Sequence, residues 1–255
     1  MISVIIQKRK KFHKRRHNKK NYVTLVIILF LLIIMTVYFV LFTDFFNISK
    51  IDVNDNKIVS NDEIILKSAL RDGQNIFRFN KKQVINSIEK IPYIKSASLV
   101  RVFPSTVKIY IEERDIIGAI FYENTFVFVD NEQVVLEVNQ KLSNTTIPII
   151  TIKEDAVGTI VVGDQLQINP EWVKKEVFDI LNILQQEKLL GYISEINITE
   201  DNLFYLYTKK GSLIKVKNSD TVNEKLDFIS TYLVKKDERM IVDLTHGGNP
   251  TYIPR

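Results

Sequence analysis

Between Tyr22 and Phe42 the chain runs for 21 residues without one charged side chain. A helix rises about 1.5 Å per residue, so this run reaches roughly 30 Å, the thickness of a bilayer's hydrocarbon core. Helices of globular cores carry polar residues on at least one face, and this run has no such face. A cleaved signal peptide has a shorter apolar region and small residues at its cleavage site, whereas the first alanine here is Ala69. The run is expected to be an uncleaved transmembrane helix spanning residues 22–42.

Charge predicts its orientation. From Lys8 to Lys20 there are nine Lys or Arg residues and no Asp or Glu, while Asp44, Asp52 and Asp55 follow the apolar run. Positive charge is retained on the cytoplasmic side. Residues 1–21 are thus expected to form a cytoplasmic tail, with the C-terminus outside. Removing those nine from the 35 basic residues leaves 26 against 30 acidic ones. The remainder is mildly acidic, which argues against a nucleic-acid partner. The chain has no cysteine, so an exported domain must rest on its hydrophobic core alone.

Beyond the helix, Ile48, Ile51 and Val53 mark a first strand. "SNDEIILKSAL" follows; Ser60 with Glu63 three residues on reads as a capping box, with Ile65, Leu66, Ala69 and Leu70 on one face and Gly73 past the end. Asn80 caps a second helix, whose Val84, Ile85, Ile88 and Ile91 form one stripe, and Pro92 stops it. Two strands come next, at 96–103 and 106–113, joined by a Pro104-Ser105 turn. In the second, Val107, Ile109 and Ile111 alternate with Lys108, Tyr110 and Glu112. Strand, helix, helix, strand, strand predicts a small sheet covered by two helices.

This stretch, 43–114, resembles the FtsQ-type POTRA domain of the bacterial division proteins FtsQ and DivIB. The matching segments are "FNISKIDVNDN", "GQNIFRFN" and "IPYIKSASLVRVFPSTVKIYIEER", with Pro92, Tyr93, Ala97, Arg101, Pro104, Thr106, Glu113 and Arg114 at the signature positions.

Residues 115–255 read mostly as strands. "IIGAIFY", "TFVFVD" and "VVLEVN" predict a meander, with Asn131 in a turn able to take positive φ. Pro148 marks an edge or connecting segment. Asn169 and Pro170 open a long helix closed by Gly191. Three strands follow ("SEINIT", "LFYLYT", "LIKVKN"), then a helix over roughly 221–234 and a last strand in "RMIVDL". The expected fold class is α+β: one transmembrane helix, a β-α-α-β-β domain, and a mostly antiparallel β domain with two helices. The family that the middle segment resembles has this same layout.

Chemistry is sparse. Outside the basic tail there is one histidine, His246, beside two glycines, and no cysteine nucleophile, Walker loop or H-E-x-x-H pattern. Glu112 and Glu113 are neighbours on a strand and point to opposite faces, so they are not a paired acid and base. "DVNDNKIVSNDE" places oxygen ligands at EF-hand spacing, but Lys57 stands where glycine makes the sharp turn and a strand precedes the loop. We expect no catalytic, cofactor or metal site. The aromatics Phe121, Tyr122, Phe126 and Phe128 read as a sheet packing face.

Binding remains, and an exposed strand edge can recruit a partner's strand through backbone hydrogen bonds alone. The last predicted strand is a candidate edge. In FtsQ-like proteins the corresponding C-terminal strand region receives a FtsB or DivIC partner. The resemblance carries that role to Met240, Ile241, Val242, Asp243 and Leu244, and less directly to Tyr252 and Ile253. It implies a bitopic scaffold at the division septum, arranging FtsL-like and FtsB/DivIC-like partners and recruiting or regulating septal peptidoglycan synthase. Two alternatives are a POTRA-bearing transport factor of the Omp85 type, for which the remaining chain is too short and too helical, and an envelope enzyme.

Overall fold

The computed structural model describes residues 19–142, 145–236 and 238–254, with side chains from Tyr22 onward. Most of the basic tail, up to Asn18, lies outside the described residues. The first helix, α1, spans Lys19–Phe42, and its stretch Tyr22–Phe42 is the one helix among the described residues long and apolar enough to cross a membrane. None of it is buried against the rest of the chain. A core helix is thereby excluded, because a core helix has its apolar face covered.

A single 3-10 turn, Asp44–Phe46, leads directly into the first sheet. Strand β1 (Lys50–Asn54) lies parallel to β3 (Thr106–Glu113), which pairs antiparallel with β2 (Ile94–Val102), giving the order β1-β3-β2. Helices α2 (Asn61–Ser68) and α3 (Lys81–Ile88) fall between β1 and β2 in sequence. The cap residues are those the sequence predicts. Ser60 Oγ accepts from the Glu63 N–H at 3.2 Å, and Asn80 Oδ1 accepts from the N–H groups of Lys82 and Gln83. Ile64, Ile88, Leu99, Val107 and Ile109 are fully buried in the common core, each worth about 1.5–3 kcal/mol on burial.

The face of α2 differs from expectation. The helix buries Ile64, Ser68 and then Leu70, and leaves Leu66 79% exposed. Three consecutive apolar residues, 64–66, fit two helical stripes equally well, and only the position of the sheet chooses between them. The helix also ends sooner than Gly73: the left-handed cap is Ala69, at φ 55°.

The second sheet has nine strands. They are β4 (Ile116–Tyr122), β5 (Thr125–Asp130), β6 (Val135–Asn139), β7 (Ile149–Thr151), β8 (Ile193–Ile198), β9 (Phe204–Thr208), β10 (Leu213–Val216), β11 (Met240–Asp243) and β12 (Thr251–Pro254). Their order across the sheet is β12-β11-β10-β9-β8-β7-β4-β5-β6. Five of the eight pairings are antiparallel; β10 with β11, β7 with β4 and β7 with β8 are parallel. The segment after Pro148 is therefore neither edge nor connector. Ile150, in the short β7, is fully buried at the centre of the sheet, and the Pro148 carbonyl accepts from Ala119 N–H.

One face of this sheet is covered by helix α4 (Glu171–Gln186), whose Val177, Phe178, Ile180, Leu181 and Leu184 pack into the main core. This helix begins one residue after Pro170 and stops at Gln186, before Gly191, with Lys188 in the left-handed region at φ 58°. The last predicted helix is broken at Lys225 into α5 (Ser219–Glu224) and α6 (Leu226–Thr231), followed by a π turn over Tyr232–Lys236. Phe128, Ala119 and Ile147 form a smaller cluster on the second face, so the predicted aromatic packing face is only partly buried: Phe121 remains exposed. In the β5–β6 turn the positive φ belongs to Gln133 at 68°, and not to Asn131.

Candidate functional site

Two features stand out: an open sheet edge at the C-terminus and an ionic joint between the two sheets. The edge is set by the last fifteen residues. After β11 the chain turns at Asp243, whose carboxylate Oδ1 accepts from the Thr245 N–H at 2.9 Å and the Thr245 hydroxyl at 2.6 Å. Burial raises the Asp243 pKa, but these hydrogen bonds, with His246 and Lys215 nearby, outweigh it and hold the carboxyl below its ordinary value. Gly248 takes φ 138°, its carbonyl accepts from Lys225 Nζ at 3.0 Å, and the chain returns as β12. Tyr252 pairs with Val242 and Ile253 with Ile241.

This corrects the position expected for 240–244. Strand β11 has β10 on one side and β12 on the other, so it is not an edge strand. Val242 and Leu244 are buried in the core. The edge belongs to β12, and its four residues are all exposed. Among the described residues no strand pairs with its outer side. At the opposite end of the sheet the start of β6 is covered: Val135 N–H donates to the Asp164 carbonyl and Gly163 N–H to the Val135 carbonyl. The sequence pattern singles out 240–244 because they are richer in β-formers; that 251–254 would fold back and take the edge depends on the intervening turn.

The joint brings two residues noted above for the resemblance, Tyr93 and Arg114, against partners that sequence reasoning passed over. Arg114, immediately after β3, places Nη1 2.5 Å from the Asp130 carboxylate and 2.6 Å from that of Glu132. Lys95 of β2 meets Glu132 at 3.0 Å. Asp130 has no exposed surface, and its other oxygen accepts from the N–H groups of Glu132 and Val134. Tyr93 hydrogen-bonds to Glu137 of β6; burial first, then the Glu137 charge and that bond, raises its phenol pKa. For the acidic partners the sequence signal was the "VDNEQ" turn, which reads as a turn and no more.

His246 is exposed beside the C-terminal turn, and no group of three or more metal-ligating side chains forms among the described residues.

Residues 46–114 match the family model of the FtsQ-type POTRA domain. The chain carries an FtsQ-type POTRA domain. Its likeness to curated division proteins extends further. It is 27% identical over 228 residues to the cell division protein DivIB of Clostridium acetobutylicum, covering 82% of this chain and 83% of that one. DivIB of Clostridium botulinum is 26% identical over 218 residues, 82% of each chain. The cell division protein FtsQ of Syntrophotalea carbinolica is 26% identical over 187 residues, 72% of this chain and 64% of that one. Homology to DivIB and FtsQ thus runs over most of the chain and supports a role in cell division.

Several of the residues expected at signature positions make contacts within the domain. Glu113 accepts four hydrogen bonds of 2.8–3.0 Å from the N–H groups of Lys57, Ile58 and Val59, so it anchors the loop between β1 and α2. Arg101 donates to the Phe79 carbonyl at 2.9 Å and stacks 4.4 Å from the Phe79 ring centre. Ala97 N–H, on the outer strand of the POTRA sheet, is capped by the Glu89 carboxylate at 3.0 Å. Pro92 is half-buried, Thr106 opens β3, and Pro104 sits in the β2–β3 turn after a cis bond to Phe103. Arg114 N–H donates to the Tyr93 carbonyl at 2.8 Å, so these two residues face the second sheet together.

Proposed function

We propose that the chain is a bitopic scaffold of the bacterial division machinery, with the short tail cytoplasmic and the residues after the helix outside the cell. It holds FtsL-like and FtsB/DivIC-like single-pass proteins at the septum and through them recruits or regulates septal peptidoglycan synthase. It performs no turnover. The relatives' names support the division role, and the unburied apolar helix supports a membrane anchor.

The observation that carries the reading is the exposed strand β12 at the open end of the nine-stranded sheet. A partner segment added there gains a ladder of backbone hydrogen bonds, with Tyr252 and Ile253 offering apolar area beside it. The residues Met240, Ile241, Val242, Asp243 and Leu244 then support the edge from behind, and β12 makes the contact. Anchoring all partners in one membrane raises their effective concentration, so a short edge suffices.

The test is capture of FtsB/DivIC-like proteins by the full chain and by a variant ending after Pro250. Loss of capture, with the variant still folded and membrane-bound, is the expected result. Undiminished capture refutes the edge as the binding element.

A further inference from the structure

The membrane-side surface of the POTRA domain carries a row of aromatic rings that the division role does not explain. Its origin is the way the domain is attached. The last turn of α1 ends with carbonyl groups that have no helical partner. Two of them are met by side chains of the folded domain: the Val40 carbonyl accepts from Asn75 Nδ2 at 2.8 Å, and the Leu41 carbonyl from Arg78 Nη2 at 2.9 Å. A guanidinium at a helix C-terminus also complements the helix dipole. The chain then zips at once onto the domain, with Ile76 N–H donating to the Phe46 carbonyl and Ile48 N–H to the Gln74 carbonyl. There is no free linker between the helix and the first sheet.

Such an attachment fixes which surface lies level with the helix end. From Phe39, inside the apolar run, rings follow in contact across that surface. Phe39 lies 6.3 Å from Phe46, Phe45 lies 5.0 Å from Phe46, Phe46 lies 5.4 Å from Phe77, and Phe77 stacks on Phe103 at 5.2 Å. Phe45, Phe77 and Phe103 are 58%, 40% and 55% exposed. Contiguous exposed apolar surface of this kind needs a cover.

We propose that Phe45, Phe77 and Phe103 rest in the headgroup region of the leaflet that α1 enters at its C-terminal end, so that the POTRA domain sits on lipid. The row is continuous with the apolar helix, and the Arg78 guanidinium lies 5.0 Å from the centre of the Phe42 ring at the helix end, a cation at the depth where a bilayer places its phosphates. The bilayer is therefore the one cover that the chain's own geometry brings to this surface. Embedding these rings adds apolar burial to the anchor and limits tilting of the domain about the helix end. The proposal rests on the reading of Tyr22–Phe42 as a membrane span.

Depth-resolved fluorescence quenching tests it on the full chain in bilayers. The protein has one tryptophan, Trp172. In a Trp172→Phe background, single tryptophans are placed by Phe103→Trp, by Leu66→Trp on the exposed face of α2, and by Phe30→Trp within the span. Bilayers contain phospholipids brominated either near the headgroup or deep in the acyl chain. We expect the tryptophan at 103 to emit at shorter wavelength than that at 66 and to be quenched most by shallow bromines. The tryptophan at 66 should be quenched by aqueous iodide and not by lipid. The proposal is overturned if position 103 behaves like position 66 while position 30 is quenched by deep bromines. Shielding of 103 from both lipid and iodide overturns it too, since a second copy or another protein then covers the row. Failure of deep quenching at position 30 refutes the span itself and the proposal with it.

Discussion

Arg114, the residue that follows the last POTRA strand, forms an ion pair at 2.5 Å with Asp130, a carboxylate with no solvent exposure at the end of β5. One side chain therefore satisfies a buried charge in the second sheet from a position fixed by the first. Removing one member of a buried pair strands the other, a loss of about 3–5 kcal/mol. Arg114→Ala is expected to fall in that range, and Arg114→Lys to lose less because it keeps the charge. Urea unfolding of the detergent-solubilised chain measures both; equal, small losses would show that the Glu132 and Val134 N–H groups alone satisfy Asp130.

The acid limb of stability should report Glu132. The hydrogen bond from Arg114, then that from Lys95, holds its carboxyl below the ordinary range. A carboxyl lowered in the folded state stays ionised when its unfolded counterpart, at about 4.3, has taken a proton. Its contribution is present above that value and is lost as pH falls through the lower folded pKa. The side chain is partly exposed, so the effect is about 0.2–1 kcal/mol. Glu132→Gln should lower stability by about that amount at neutral pH, where the contribution is present, and make little difference at the acid end, where the parent has already lost it, so the acid limb becomes shallower.

Tyr93 gives the opposite sign. Its phenol is raised by burial and by Glu137, so the contact with Glu137 is intact below an unfolded tyrosine pKa of about 10 and is lost only as pH climbs through the folded value. Tyr93→Phe is expected to cost about 1 kcal/mol at neutral pH. Because phenylalanine does not titrate, the variant should also lack the parent's fall in stability above about pH 10, so the gap between the two narrows as pH rises. Absorbance titration of the tyrosines alongside unfolding at each pH checks both statements.

Glu113 should control the loop at 57–59. Its carboxylate satisfies three successive backbone N–H groups, and Glu113→Ala leaves them without that acceptor, at about 1–3 kcal/mol. Hydrogen exchange resolves the local effect: amides of Lys57, Ile58 and Val59 should lose protection well before those of β3. Unchanged protection there would mean that water replaces the carboxylate without consequence.

The face of α2 is open to a simple comparison. Ile64 is fully buried and Leu66 is the most exposed apolar residue of its helix. Ile64→Ala should cost about 2–5 kcal/mol, while Leu66→Ser should stay within about 0.5 kcal/mol. Thermal unfolding separates the two.

Val242→Pro, an obvious probe when 240–244 are taken as an edge, is instead expected to unfold the sheet. Val242 is fully buried and its strand is paired on both sides, so the proline removes a ladder bond within the core. Ile253→Ser, on the exposed strand, should leave circular dichroism and unfolding unchanged. Loss of structure in the second variant would show that β12 stabilises the sheet it closes.

Much of this molecule is written in short-range pattern. The apolar run at 22–42, the caps at Ser60 and Asn80 and the alternation in 106–113 each depend on residues within a few positions of one another, because helix and strand periods and cap hydrogen bonds are local. Their places in the structure follow those patterns. Where two local patterns were equally good, as for Ile64, Ile65 and Leu66, the sheet's position decided which was buried. The centrality of β7, with three residues, and the ionic joint of Arg114, Asp130, Glu132 and Lys95 left no periodic trace. Strand neighbours and charge partners are chosen by how distant segments pack, and that same choice placed β12 outside β11 and turned the expected edge into the interior.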